Sequence, residues 1–234
     1  SGNDWTLLGL LENTSKLGKS KELGKDLHPV VPKQAAEVPG AVQFDLLKSG
    51  QIQDVNVGLN SRYAEWTEHL EWVYSRRLSV PKYMKGKRIF IEFEGLDYSG
   101  SVYFDGHEIG DFEGTHIPHL FDITEFVVFE TEQVLSILIN PVPHLPGQIG
   151  YTYKIKAYKP RYNYSWDWVA RTVSAGIWDD VWLCAYEELK IYGISVYTDL
   201  QPDLKTGKVS VTLELDKEIH LEQGFKLKWS LESK

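Results

Sequence analysis

The sequence carries one cysteine and one methionine in 234 residues, and its basic residues are outnumbered. No segment approaches the roughly 18 consecutive apolar residues of a membrane span, so no membrane partner is expected. Lys and Arg number 25 against 33 Asp and Glu, a net charge of -8. The densest basic groups, Ser75-Arg76-Arg77 and Lys82 to Arg88, are interrupted by apolar residues. Phosphate backbones need a concentrated basic face, so nucleic acid is excluded as a partner. Cys184 cannot close an internal disulfide. It sits in the apolar run Val181-Trp182-Leu183-Cys184-Ala185, where a buried, inert thiol is expected because nothing local lowers its pKa. There is no P-loop, no G-x-S-x-G elbow and no G-x-G-x-x-G opening a βαβ unit. The start shows neither a basic segment leading into an apolar one nor an initiator methionine, which reads as a trimmed N-terminus.

Aromatic residues are abundant instead, at 13%, with eight Trp. Trp166, Trp168, Trp178 and Trp182 fall within one short stretch, more than core packing requires, and suggest a flat or ring-shaped partner. His116-Ile117-Pro118-His119 has two imidazoles, but Pro118 bars a helix and no Cys lies near. Neither a metal nor another cofactor is expected.

The periodicity is that of strands. Trp5 to Leu11 reads as a lead-in strand, followed by a surface segment to about residue 37. Val38-Pro39-Gly40 reads as a turn, and Asp45 to Gly50 as a short helical turn. Further strands are expected at Trp72–Val80, Ile89–Phe93, Ser101–Phe104, His107–Gly110, Gln133–Asn140, Ile177–Tyr186, Lys190–Tyr197, Lys208–Leu215 and Phe225–Trp229. Asp105-Gly106 is a hairpin signal. Gly95 to Gly100 and Gly110 to Gly114 read as hairpin and loop glycines. Short strands, turn-rich connections and little helical periodicity indicate an all-β sandwich or barrel. Pro141 to Tyr164 reads as a long loop, and such loops are usually functional or disordered.

That loop leads into Tyr162-Asn163-Tyr164-Ser165-Trp166-Asp167-Trp168. Indole faces suit the C–H faces of a pyranose, and a carboxylate accepts from paired hydroxyls. The competing structural reading makes both Trp core residues and Asp167 a turn cap.

Several ordered segments together resemble the N-terminal part of family-two glycoside hydrolases, most closely the β-mannosidase branch. They are Val38-Pro39-Gly40-Ala41-Val42-Gln43-Phe44-Asp45-Leu46-Leu47, Gly50-Gln51-Ile52-Gln53-Asp54, Gly58-Leu59-Asn60, Trp66 with Glu71-Trp72-Val73-Tyr74, and Phe93-Glu94-Gly95-Leu96-Asp97. Val102-Tyr103-Phe104-Asp105-Gly106, Phe121-Asp122-Ile123-Thr124, Tyr164-Ser165-Trp166-Asp167-Trp168 and Gly176-Ile177-Trp178-Asp179-Asp180-Val181 complete the set.

The resemblance implies a jelly-roll-like, galactose-binding-domain-like β-sandwich over residues 1–187, with 1–37 as its lead-in. Residues 188–234 would be the truncated start of an immunoglobulin-like sandwich, for which about 47 residues are too few. A catalytic barrel would follow, carrying two glutamates and acting with retention of configuration, so no catalytic residue is expected in this chain. Trp166 and Asp167 would contact the terminal sugar of a β-linked oligosaccharide or glycoside, and the barrel would be an intramolecular partner. Self-association is left open.

Two positions depart from the β-mannosidase pattern: Val169-Ala170 stands where that branch has Gly-Pro, and Tyr158-Lys159 where it has Arg-Lys. A β-galactosidase, glucosaminidase or glucuronidase relative is the alternative within the family. A free-standing carbohydrate-binding module is the alternative outside it. A role in polysaccharide breakdown points to an extracytoplasmic location.

Overall fold

The computed structural model describes residues 1–15, 21–25, 27–144, 152–187, 189–216, 228 and 230. The chain divides into two units, Ser1–Ala185 and Tyr186–Lys234.

In the first unit, β1 (Gly2–Leu11), β2 (Val31–Val38), β3 (Leu70–Ser79), β6 (Ser99–Phe104), β7 (His107–Glu113) and β9 (Glu132–Ile139) form one sheet in the order β2-β1-β3-β9-β6-β7. All of its pairings are antiparallel. A second sheet has the order β11 (Val181–Tyr186), β4 (Arg88–Phe93), β8 (His119–Asp122), and a short ladder joins β5 (Leu96–Asp97) to β10 (Gly176–Ile177). Two short helices, α1 (Val42–Lys48) and α2 (Asn60–Tyr63), lie between β2 and β3. The class is therefore all-β, as the alternating segments indicate.

The period-two alternation places Trp5, Leu7, Trp72, Tyr74, Phe104, Ile137 and Ile139 in one core with Ile89, Ile91, Phe93 and Phe121 of the second sheet. Fully burying side chains of this size is worth about 1.5–3 kcal/mol each. The opposite face of the large sheet is also covered: Leu23 packs on Leu8, Leu10, Val73 and Leu138. The stretch read as a surface segment to residue 37 is thus structural. Its last part is β2, paired with β1, and Leu23 belongs to a second apolar layer against β1, β3 and β9. Leu23 sits in a Lys- and Gly-rich context with no period of its own, which hides its burial in the sequence.

The hairpin signal holds: Asp105 and Gly106 both have positive φ, +49° and +89°, as a two-residue turn between twisted strands requires. Gly100 is demanded by close approach, since a Cβ there would lie 1.8 Å from the Leu138 carbonyl oxygen. The run Ile177–Tyr186 is not one strand. It breaks at Trp178–Asp180 into β10 and β11, which belong to different sheets. Cys184 on β11 is half-buried rather than buried, with Sγ 3.6 Å from a Glu92 carboxylate oxygen.

The second unit contains the hairpin of β12 (Ile191–Leu200) and β13 (Gly207–Leu215). Ile194 pairs with Leu213 and Val196 with Val211, so apolar residues share one face. The further strand expected at Phe225–Trp229 lies outside the described residues except for Lys228.

Candidate functional site

The segment from Ile155 to Ala175 contains no sheet strand, only a 3₁₀ turn over Arg161–Tyr164 and an isolated bridge between Trp166 and Val169. Its order comes from side chains beneath it. Tyr164 and Val173 are buried and form a small satellite core with Val142, Ile155 and Ala157. The Tyr164 hydroxyl donates to the Pro143 carbonyl at 2.6 Å. Burial raises that phenol's pKa, so it remains a donor.

Two buried carboxylates extend the anchor. Asp97 accepts from Lys159 Nζ at 2.5 Å, from Thr115 Oγ1 at 2.8 Å and from Ser174 Oγ at 2.9 Å. Lys159 also donates to the Ser174 carbonyl at 2.7 Å, which leaves the ammonium three acceptors in a dry site. Burial pulls the Lys159 pKa down, and Asp97 opposes that shift. Glu68 pairs with Arg171, whose guanidinium lies 5.2 Å over the Tyr164 ring. Burial raises the Glu68 pKa, opposed by Arg171. Gln43 on α1 donates to the Val173 carbonyl at 2.9 Å, and the Thr172 amide donates to Asn163 O at 2.9 Å.

On this base stands a tight turn. Trp166 and Val169 exchange two backbone hydrogen bonds of 3.2 Å each, putting Asp167 and Trp168 at its tip. Ser165 turns the chain into it at φ +107°. Trp166 is 39% exposed and Trp168 80%, with ring centroids 6.4 Å apart and planes at 80°. Asp167 is exposed between them. The structural reading of two core Trp is therefore wrong. The indoles face solvent on a pinned backbone, beside a carboxylate suited to accepting from hydroxyls.

The sequence profile described as "Glycosyl hydrolase 2 galactose-binding domain-like" matches residues 16–179. The chain belongs to this family. Beta-mannosidase B of Emericella nidulans is 29% identical over 192 residues, which are 76% of this chain and 23% of that protein. Beta-mannosidase B of Aspergillus niger is 27% identical over 207 residues, 83% of this chain and 24% of that one. Among solved structures, a β-D-mannosidase from Dictyoglomus thermophilum superposes with TM-score 0.73 at 23% identity, over 92% of this chain and 25% of that chain. A Ruminococcus gnavus β-glucuronidase gives 0.62 at 18% identity, over 92% and 32%. The family-two domain thus spans about a quarter of the length of the curated relatives it matches.

Within this domain the four clustered Trp do not converge. Trp178 lies against Gly95 and donates to the Thr115 carbonyl at 2.9 Å, while Trp182 lines a separate cavity with Trp5. His116 meets the Trp178 ring edge-on, whereas His119 packs at a tilt against Phe112 and approaches the Gly114 carbonyl. Among the described residues no group of three or more His, Cys, Asp or Glu could hold a metal. Asp97, Lys159, Glu68 and Arg171 escaped the sequence reading as an anchor. Asp97 and Lys159 are 62 positions apart, and nothing local marks either as buried.

Proposed function

We propose that this domain flanks the active site of a retaining exo-β-glycosidase of the β-mannosidase type. In this reading Trp166 stacks on the terminal sugar, and Asp167 accepts hydrogen bonds from its hydroxyls. The catalytic glutamates belong to a barrel elsewhere in the parent protein, so this chain binds and orients but performs no bond cleavage. Residues 188–234 would begin an immunoglobulin-like sandwich that precedes the barrel along the chain, a reading supported by the one-sided apolar face of the β12–β13 hairpin.

The observation that carries the reading is the solvent-facing Trp-Asp-Trp turn on an anchor of buried ion pairs. Fixed placement lowers the ordering needed on binding, which is how a contact residue helps a transition state. The relatives named β-mannosidase favour mannose over the glucuronide of the second structural neighbour.

The test compares the full-length parent with its Asp167→Ala variant on a panel of aryl β-glycosides, with thermal melts alongside. The expected result is preference for β-mannoside. The variant should lose about 2–4 kcal/mol of transition-state stabilisation, the range for removing one catalytic-site hydrogen-bond partner, with an unchanged melt. A fully active variant would show that the turn does not touch substrate.

A further inference from the structure

A cleft of about 450 Å³ lies beside the loop that carries the Trp-Asp-Trp turn, within the ~300–1,000 Å³ span of small-ligand sites. Neither Trp166 nor Asp167 lines it. His116 lines it from the β7–β8 connection, and the segment Ile155–Tyr162 lines the rest. Tyr158 and Tyr162 are 82% and 57% exposed, although both are large rings.

Their backbone is held from beneath. The Tyr158 amide donates to the Tyr98 hydroxyl at 3.0 Å, and that hydroxyl donates to Glu113 at 3.0 Å. The next residue, Lys159, has its side chain wholly buried on Asp97. Its ammonium is consumed there and brings no charge into the cleft. Arg161 also lines the cleft. Two phenol rings, an imidazole and one guanidinium offer stacking faces plus hydroxyl-directed donors and acceptors. Tyrosine supplies such area at low conformational cost because it has few rotatable bonds. That chemistry suits a pyranose.

Tyr162 belongs to the same 3₁₀ turn that leads to Trp166, only four residues on, so their Cα atoms are at most about 14 Å apart. The cleft and the turn thus lie on one short segment of chain.

We propose that the Tyr158–Tyr162 cleft binds the sugar unit next to the terminal one, so that the domain recognises at least a disaccharide. The inference rests on Trp166 and Asp167 contacting the terminal ring.

The test is steady-state kinetics of the full-length parent and its Tyr158→Ala/Tyr162→Ala variant on β-1,4-linked mannotriose and on methyl β-mannoside, with thermal melts alongside. The double variant is expected to lower the ratio of kcat/KM for mannotriose to that for methyl β-mannoside about tenfold, the loss of two stacking faces, with an unchanged melt. Arg161→Ala serves as a second variant with the same expected direction. An unchanged ratio in both variants overturns this inference, and an Asp167→Ala variant that is inactive on both substrates then leaves the reading of the turn standing. A lowered ratio beside a fully active Asp167→Ala supports the cleft and counts against the turn.

Discussion

Lys159 directs its ammonium at both carboxylate oxygens of Asp97, each 2.5 Å away, and the two side chains are almost wholly withdrawn from solvent. The pair joins β5 to the loop that carries the exposed turn, so burial here serves placement of a surface feature. Removing one partner leaves an uncompensated buried charge, which typically destabilises by about 3–5 kcal/mol. Lys159→Met and Asp97→Leu are each expected to lower the melting temperature strongly. The double variant should lose less than the sum of the two, a non-additivity measured by a double-mutant cycle of denaturant midpoints. Additive losses would mean that the two charges do not interact.

Glu68 and Arg171 form the second anchor, and here the expected readout is local. Arg171→Ala removes both the counter-charge of Glu68 and the cation over the Tyr164 ring. Amide hydrogen exchange should accelerate at Trp166–Val169, while the β3–β9 ladder keeps its protection at Arg77–Ser79, the end remote in register from Glu68. Unchanged exchange at the turn would show that Arg171 does not hold it.

Asp45 sets a pH dependence. It sits buried on α1, accepting from the Glu37 amide at 3.0 Å and from the Tyr74 hydroxyl at 3.3 Å. Burial nevertheless outweighs those bonds and raises its pKa from 3.8 to about 6. Between these two values the folded state binds more protons than the unfolded one, so this group's contribution to stability falls as pH rises through that window. Asp45→Asn cannot ionise. Urea melts of both proteins are expected to show the stability difference moving in the variant's favour from about pH 4 to pH 7. Parallel curves would refute this.

Gly100 is irreplaceable for a steric reason. The Cβ of Gly100→Ala would meet the Leu138 carbonyl, which belongs to the ladder between β6 and β9. Backbone cannot yield as a flexible side chain can, so the loss should reach or exceed the ~1–3 kcal/mol of ordinary overpacking. A chemical-denaturation midpoint close to wild type would contradict this.

Trp168 makes the opposite case. An 80% exposed indole at a turn tip contributes little to folding, so Trp168→Ala should stay within about ±0.5 kcal/mol of wild type in a melt. A large loss would make the ring structural after all.

Alternating apolar residues and turn chemistry were enough to place most strands, the Asp105-Gly106 hairpin and the all-β class, because these are set by neighbours within a few positions. The family was legible for a related reason: its motifs are short, ordered segments. Trp166 and Asp167 stood out by residue type alone. Four things depended on contacts across the chain. Leu23 and β2 became core because β1 and the second apolar layer cover them. Ile177–Tyr186 broke in two because its halves serve different sheets. The clustered Trp separated into different neighbourhoods. Asp97 met Lys159, and Glu68 met Arg171, at separations of 62 and 103 positions. A buried ion pair has no local period, so only the folded chain reveals which charges are withdrawn from water and which face it.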